Sequence, residues 1–300
     1  MIRLLILSAL VVTGCTFKKA ELGTAENPVK LFFVPAVDAQ VIDANAKLMK
    51  AWMETNTPYK FQVFTPQNYI AVVEAFGSGR ADVAGLNTFG YLLANQKYGA
   101  VVKMVVVRYG KTTYQSAIIA KKGRFKDIKE LAGKKIAYVD PASLSGYILP
   151  QKFLADQGVK PADSIFAMTH DNVVSMVYQG RVDAGATFYS PPDPKGEIRD
   201  ARHWVKTQYP DVEQRVEILR LTNEIPNDPI VFRKEVPDEM KTKIIEAFLK
   251  MTKDEKGRAA LDSVYGATDL QAASEKDFAG VKAMVETLNG GQPLEKFLKK

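Results

Sequence analysis

The chain is poor in the residues that carry most enzyme chemistry, with one cysteine and two histidines in 300 residues. Cys15 has no second cysteine with which to form a disulfide, and no spacing of His, Cys and Asp resembles a metal site. Ser143 and His170 fall in different loops without a third orienting group, so a paired nucleophile and base is not indicated. The sequence therefore predicts a protein that is not an enzyme and that holds no metal or organic cofactor.

A basic stripe interleaved with exposed aromatic residues is also missing. The net charge is +7, but most lysines are dispersed among acids, and the densest basic cluster, at residues 121–126, runs directly into Asp127 and Glu130. Such a mixed cluster is typical of a solvated face. Nucleic acid is therefore not expected as a partner, whereas the excess of positive charge can still steer a small anion toward a cleft.

No apolar run is long enough to cross a bilayer as a helix. The run over residues 4–12 follows Arg3 and is typical of an export signal. The small residues before Cys15 resemble a bacterial lipobox, in which the thiol takes a diacylglycerol and becomes the mature N-terminus. We predict a signal peptide over 1–14, a lipid anchor at Cys15 and a polar tether over 15–27. The protein would then be exported and anchored on the outer side of the cytoplasmic membrane or in the periplasm; a secreted protein with one free thiol is the alternative.

Short apolar strands alternate with helical patterns along the rest of the chain. This alternation predicts an α/β fold with parallel sheets. Removing residues 1–14 from the 300 leaves 286, a length that suits two α/β lobes. After Phe232 the pattern is almost wholly helical, with amphipathic segments over 238–251, 254–265 and 275–288. The predicted strands are 29–34, 60–64, 82–86, 101–108, 116–120, 135–139, 165–168, 184–187, 216–220 and 230–232.

One segment recurs within the chain. A helical run ends in Gly-Arg-Ala-Asp at residues 79–82, and a second ends in Gly-Arg-Val-Asp at 180–183. In both, the glycine is placed to end a helix before the next strand. This repeat predicts the same structural unit once in each lobe, and independent use of one helix-stop pattern is the alternative.

The most informative stretch runs from Asp140 to Tyr147, between an apolar strand and a helix-like segment. Backbone N–H groups at a helix start lack intrahelical partners and carry partial positive charge, so phosphate-like anions bind there readily. The hydroxyls of Ser143 and Ser145, with Gly146 beside them, therefore predict an anion pocket. A plain helix cap by either serine is an equal alternative on local features.

Several other side chains suit the wall of a small-ligand site. His170 can donate a hydrogen bond to an oxyanion, although a structural histidine is the alternative. Tyr69 and Tyr114 each combine an apolar ring with one donor, but either could simply fill the core. Asn87 and Thr88 follow a predicted strand and are equally suited to capping a helix.

Taken in order, these motifs resemble those of the substrate-binding proteins of phosphate, phosphite and phosphonate ABC transporters. That family has a two-lobed, type II periplasmic-binding-protein fold. The resemblance implies mixed, mostly parallel sheets, two crossing strands between the lobes and a ligand cleft between them. It places lobe 1 at 28–115 and 229–300, and lobe 2 at 116–228.

The resemblance also implies roles for individual residues. In the family, hydroxyls and amides of a serine- and threonine-rich turn hold the phosphonate oxygens; here the turn is Ser143, Leu144, Ser145 and Gly146, with leucine replacing threonine. A family histidine matches His170, whereas His203 matches none and is expected on the surface of a helix. Tyr69 and Tyr114 fall at the places of family tyrosines near the ligand, and Asn87 and Thr88 occupy another loop at the expected cleft.

Asp228 matches the acid that helps to hold the ammonium group in binders of aminophosphonates. A second acid of those binders is replaced by Ser190, so we expect 2-aminoethylphosphonate not to be the ligand. Phe188 and Tyr189 are expected to close over a small anion or an apolar substituent.

The resulting prediction is a monomeric, lipid-anchored solute-binding component of an ABC importer. It would capture a small phosphorus oxyanion and deliver it to a permease. A ligand-sensing surface lipoprotein is the first alternative, and an enzyme acting on a phosphorylated metabolite is the second.

Overall fold

The structure is a computed structural model and describes residues 20–34 and 39–299. The predicted signal peptide and Cys15 lie outside these residues. Residues 20–27, predicted as part of the tether, instead fold onto the body of the protein. The carbonyl of Gly23 accepts from the Lys60 N–H at 2.7 Å, and Leu22 packs against the core. The described part of the predicted tether is therefore integrated into the fold.

The secondary structure follows the predicted alternation. The strands are β1 (Val29–Phe33), β2 (Phe61–Phe64), β3 (Val83–Gly85), β4 (Val101–Val107), β5 (Thr113–Lys121), β6 (Lys135–Tyr138), β7 (Asp163–Phe166), β8 (Ala184–Tyr189), β9 (Val216–Leu221), β10 (Ile225–Pro226), β11 (Pro229–Phe232) and β12 (Asp269–Ala272). The α-helices are α1 (Ala39–Asn56), α2 (Tyr69–Gly77), α3 (Thr88–Tyr98), α4 (Leu149–Asp156), α5 (His170–Gln179), α6 (Val212–Arg215), α7 (Asp238–Met251), α8 (Glu255–Tyr265) and α9 (Ala279–Leu288). A π-helix covers Leu144–Ile148, and 3-10 helices cover Ile128–Leu131, Ala201–Val205, Glu275–Phe278 and Leu294–Lys299.

The strands form two six-stranded sheets. The first has the order β12-β4-β11-β3-β1-β2, and the second has the order β10-β5-β8-β6-β7, with β9 also paired to β5. We call the parts built on these sheets the first and the second lobe. Both sheets are mixed, which confirms the predicted two-lobed α/β fold with mixed sheets.

The expected predominance of parallel pairing is not found. Within each sheet of the described chain, two pairings are parallel and three are antiparallel. The parallel pairings are those of the β-α-β units, around β1 in the first lobe and β6 in the second. The antiparallel pairings belong to β5, which follows the outgoing crossing, to β11, which follows the return crossing, and to β12 at the edge of β4.

All ten predicted strands are present, with ends shifted by at most three residues, but β10 and β12 were not predicted. β12 corrects the expectation of a wholly helical C-terminal part. It has four residues with two exposed side chains, and it pairs only along the edge of β4, so its sequence carries little apolar signal. The helices α7 and α8 match their predicted bounds closely.

The first sheet is buried on both faces, as expected for β-α-β units. Along β1, Leu31 and Phe33 pack into one cluster of buried side chains, whereas Phe32 and Val34 pack into another. The second of these clusters continues into the other lobe, where it includes Ile119. A continuous apolar core therefore runs beside the boundary between the lobes.

Two crossing segments connect the lobes and lie side by side. The Asn227 N–H donates to the Thr112 carbonyl at 2.8 Å, and Ile225 pairs with Tyr114 in the β-ladder. Within the described ranges, no helix is both long enough and apolar enough to cross a membrane.

Candidate functional site

A small cavity lies between the lobes at the crossing segments. Its volume is about 40 Å³, and on this measure one water molecule needs about 10–15 Å³. The cavity therefore has room for a few water molecules or one small anion. Its lining residues are Val34, Tyr69, Asn87, Arg108, Tyr114, Ser143, Ser145, His170, Phe188, Trp204 and Asp228.

Four helix starts converge on this cavity. Tyr69 is the first residue of α2 and His170 the first of α5, while Asn87 caps α3 and Ser143 caps the π-helix that continues into α4. Two of these starts come from each lobe. Because peptide dipoles place partial positive charge at each start, the cavity favours a negatively charged ligand without any unpaired cationic side chain.

Ser143 both caps its helix and lines the cavity. Its Oγ accepts from the Gly146 N–H at 3.0 Å, so the predicted capping role is confirmed. A hydroxyl that accepts through a lone pair keeps its own hydrogen for donation. Capping and ligand binding by Ser143 are therefore compatible.

His170 is held as a neutral donor. Its Nδ1 lies 3.3 Å from the donating N–H nitrogen of Phe188 and 2.8 Å from Thr187 Oγ1. Since a backbone N–H can only donate, Nδ1 must accept, and the ring proton then resides on Nε2. Burial, assisted by the nearby positive charge of Arg108, lowers the pKa of His170 to about 3. The imidazole is thus uncharged at neutral pH and offers one N–H.

The two predicted tyrosines are buried and also line the cavity. Burial is the main cause that raises the pKa of Tyr69 and of Tyr114, so both phenols stay protonated at neutral pH. The Tyr114 hydroxyl is hydrogen-bonded to Ser145, which partly opposes that rise in pKa. The Ser145 carbonyl is occupied separately, because it accepts from Ser116 Oγ.

Polar contacts join the lobes around the cavity. Asn87 Oδ1 accepts from the Gly90 N–H at 2.6 Å, while its Nδ2 donates across the boundary to the Ala142 carbonyl at 2.9 Å. The buried Asp140 carboxylate accepts from the N–H groups of Ala142 and Tyr69, although burial still raises its pKa. The structure therefore shows the lobes closed on one another.

Two charged residues lie in the cavity wall, Arg108 and Asp228. Arg108 Nη2 donates to Asp228 Oδ2 at 2.7 Å. Asp228 was predicted as a site residue, whereas Arg108 was not. The sequence feature that could have identified Arg108 is its position at the end of a predicted strand, just before the chain crosses to the other lobe.

Five predicted site residues are not in the lining. Leu144 is buried in the core, and Gly146 contributes its N–H to Ser143. Thr88 Oγ1 instead donates to the Pro226 carbonyl at 2.8 Å. Phe188 faces the cavity, and because successive side chains of a strand point to opposite faces, Tyr189 faces away. Ser190 is buried just beyond the end of β8.

The helix over Ala201–Val205 contributes to the site in a way the sequence did not show. His203 was expected on the surface, but it is half-buried, and burial lowers its pKa. The short helix packs against α5, so Trp204 reaches the cavity and lies 4.7 Å from Phe188 between ring centroids. These two rings form an apolar part of the wall.

The cavity carries no sign of a metal centre. In the portions of the chain with described coordinates, no group of three or more His, Cys, Asp or Glu side chains could hold a metal ion. The donors that surround the cavity are hydroxyls, amides and a neutral imidazole, which suit an anion.

Comparisons with known proteins agree with a cavity that suits an anion. A family model described as the periplasmic substrate-binding protein of a phosphonate ABC transporter matches residues 31–278. The "Phosphate-import protein PhnD" of Mycolicibacterium smegmatis is 29% identical over 202 residues, covering 60% of this chain and 62% of that protein. The "Phosphonates-binding periplasmic protein" of Escherichia coli is 22% identical over 243 residues, covering 77% of this chain and 68% of that protein.

Solved structures share the fold. A binding protein component of an ABC phosphonate transporter from Pseudomonas aeruginosa superposes with a TM-score of 0.72 at 17% identity, covering 90% of this chain and 96% of that one. PhnD1 from Prochlorococcus marinus in complex with methylphosphonate gives a TM-score of 0.72 at 19% identity, covering 87% of this chain and 98% of that one. At these identities the likeness concerns the fold.

Proposed function

The chain belongs to the family of periplasmic substrate-binding proteins of phosphonate ABC transporters, and from that premise we propose that it captures one small phosphorus oxyanion in its interlobe cavity. The family consists of exported binding proteins and not of enzymes, so no chemistry on the solute is required. The proposed ligand is a phosphonate, phosphite or phosphate. A permease would receive it from the closed protein.

One observation carries this proposal: several neutral donors and four helix starts surround a cavity of about 40 Å³, and three of these starts are not already paired with the Asp140 carboxylate. Room for a few water molecules suits an oxyanion with one central atom. Uncharged donors at helix starts hold such an anion without a counter-ion. The proposed ligand contacts are those of Ser143, Ser145, His170, Tyr69 and Tyr114.

Capture would proceed by closure of the lobes. We keep the partition into 28–115 with 229–300 and 116–228, except that residues 113–115 belong to β5 and therefore to the second lobe. Both crossing segments then lie at the hinge. A ligand that contacts both walls stabilises the closed form, because it binds that form more tightly than the open one. A monomer suffices for this mechanism.

A binding panel tests the proposal. Purified protein is titrated by calorimetry and thermal shift with phosphate, phosphite, methylphosphonate, 2-aminoethylphosphonate and sulfate. At a hundredfold excess over Kd, a ligand bound only by the folded form stabilises it by about 2.7 kcal/mol. We expect a phosphorus oxyanion to bind most tightly and sulfate least. Failure of all four phosphorus compounds to bind, or turnover of any of them, would contradict the proposal.

The lipid anchor is a separate part of the proposal. We propose that Cys15 is acylated and anchors the protein to the membrane. Labelling cells with radioactive palmitate should mark the protein, and Cys15→Ala should abolish the label and release the protein from the membrane fraction. Equal labelling of both proteins would refute the anchor and leave the ligand proposal intact.

A further inference from the structure

The ion pair between Arg108 and Asp228 has a consequence for ligand choice. The guanidinium donates to Asp228 Oδ2 and to Asn227 Oδ1, each at 2.7 Å. The Arg108 and Asp228 side chains are only 10% and 19% exposed, so solvent screens the pair weakly. A planar guanidinium suits two neighbouring acceptors of this kind. The charge of Asp228 is therefore balanced within the cavity wall.

Backbone contacts of both crossing segments fix the pair. Arg108 and Lys111 exchange two backbone hydrogen bonds of 2.9 Å across a tight turn, in which Tyr109 and Gly110 have φ of 48° and 77°. The Val106 N–H donates to the Asp228 carbonyl at 3.0 Å. Because Arg108 follows β4 and Asp228 precedes β11, the pair sits at the connection between the lobes and does not depend on either lobe alone.

An unpaired Asp228 would give the cavity a different chemistry. A lone carboxylate attracts an ammonium group and repels an oxyanion. With Arg108 in place, the charge of Asp228 is balanced, so its carboxylate neither attracts an ammonium group nor repels an oxyanion. No other carboxylate is present in the described lining. The wall formed by Phe188 and Trp204 offers apolar surface and no partner for a cation beyond the ring faces.

We infer that Arg108 is a specificity-determining residue, which occupies the carboxylate of Asp228 and so restricts the cavity to small phosphorus oxyanions with an uncharged substituent. This inference rests on the proposed function and narrows its ligand class. Arg108 thereby also removes the repulsion that Asp228 would exert on the bound anion.

Calorimetry with methylphosphonate and 2-aminoethylphosphonate tests the inference on four proteins: wild type, Arg108→Gln, Asp228→Asn and the double variant. We expect the wild type to bind methylphosphonate at least tenfold more tightly than the amino compound. Arg108→Gln should weaken methylphosphonate binding at least tenfold and reverse the preference, because Asp228 is then unpaired. The double variant should regain methylphosphonate binding to within about threefold of wild type, which a purely structural role of Arg108 does not predict. Arg233→Gln is the matched control, since Arg233 pairs with Asp82 at 2.7 Å outside the cavity and should leave both affinities unchanged.

Asp228→Asn gives an independent readout if Arg108→Gln does not fold. If Arg108 already occupies the carboxylate, this variant should change 2-aminoethylphosphonate affinity less than threefold. A loss of tenfold or more would show that Asp228 binds the ammonium group and would overturn the inference. So would an unchanged preference in folded Arg108→Gln or a wild type that prefers the amino compound. A wild type that binds neither compound nor the phosphate and phosphite of the panel would instead refute the proposed function.

Discussion

The two lobes contain the same helix-to-strand unit but bury it to different depths. Gly79 and Gly180 both adopt left-handed backbone with φ of 65° and 76°, which ends the preceding helix. In the first lobe, Asp82 Oδ2 accepts from a backbone N–H at the start of β1 at 2.9 Å. Asp183 Oδ2 accepts from the corresponding N–H of β6 at the same distance. The predicted repeat is therefore confirmed as a shared structural unit.

The repeated aspartates differ in their surroundings. The Asp82 side chain is 1% exposed and lies between Lys30 and Arg233, whereas that of Asp183 is 21% exposed and pairs with the exposed Arg124. The cavity walls differ too, because the second lobe supplies two serines, a histidine and a tyrosine, whereas the first supplies one tyrosine and one asparagine. The comparison teaches that the scaffold is repeated while the chemistry at the strand ends is not.

The largest expected effect concerns the two aspartates. Asp82→Ala leaves Arg233 and Lys30 without their buried acceptor, and we expect it to lower the free energy of unfolding by about 3 kcal/mol. Asp183→Ala, at a more solvated site, should cost about 1 kcal/mol. Urea denaturation of both variants measures the difference. Equal losses would show that depth of burial does not distinguish the two units.

A second pair of variants asks whether both walls donate to the ligand. Ser143→Ala in the second lobe and Tyr69→Phe in the first each remove one hydroxyl that faces the cavity. Hydrogen bonds to charged groups contribute about 1.5–3 kcal/mol, so each variant should weaken the affinity for the best-binding oxyanion about 30-fold. Calorimetry measures the affinity, and Ser164→Ala on the exposed strand β7 is the control. If only Ser143→Ala weakens binding, the first lobe contributes shape and not a hydrogen bond.

The two histidines allow a test through the pH dependence of the free energy of unfolding. Unfolded His170 takes up a proton near pH 6.5, whereas the folded pKa is about 3. The unfolded state therefore binds more protons below pH 6.5, and stability is lost as the pH falls from there toward 3. Between pH 7 and 5.5 this loss is about 1 kcal/mol for one such group.

We expect His170→Gln to remove that part of the pH dependence in urea denaturation of the ligand-free protein. His203→Gln serves as the comparison, because its ring is only half-buried and therefore less desolvated. It should change the slope of stability against pH by a smaller amount. An unchanged slope in His170→Gln would mean that the buried imidazole does not stay neutral.

The smallest expected effect separates two asparagine caps. Asn87 caps α3 and also donates to the other lobe, whereas Asn68 caps α2 through the Ala71 N–H at 2.9 Å. Serine preserves a cap but is too short to reach across the boundary. Asn87→Ser should weaken ligand affinity about fivefold, or about 1 kcal/mol, and Asn68→Ser should not change it. Similar affinities for both variants would indicate that the Asn87 bond across the lobes does not contribute to closure.

Much of this architecture was predictable because it depends on local patterns. The strand around Ile136, the helix start at Ser143 and the left-handed glycines are all specified by residues within a few positions of one another. Family resemblance then placed Tyr69, Tyr114 and His170 near one ligand, and the structure brings all three to the cavity.

The features that the sequence did not predict depend on contacts between segments that are distant along the chain. Arg108 becomes a cavity residue only because Asp228 returns beside it 120 positions later. Trp204 reaches the site because a short helix packs against α5. The sequence of that helix is typical of an exposed segment and does not predict this contact. The pairing direction of β4 and β11 likewise follows from the return crossing and not from either strand's composition.

Asp140 forms a direct contact between the two lobes. Its carboxylate in the second lobe accepts the first N–H of α2 in the first lobe, so that helix already has an internal acidic partner. An incoming solute consequently finds this amide occupied and must rely on the remaining three helix starts. Separation of the walls would strip a desolvated carboxylate of that N–H, so this contact by itself resists opening of the lobes.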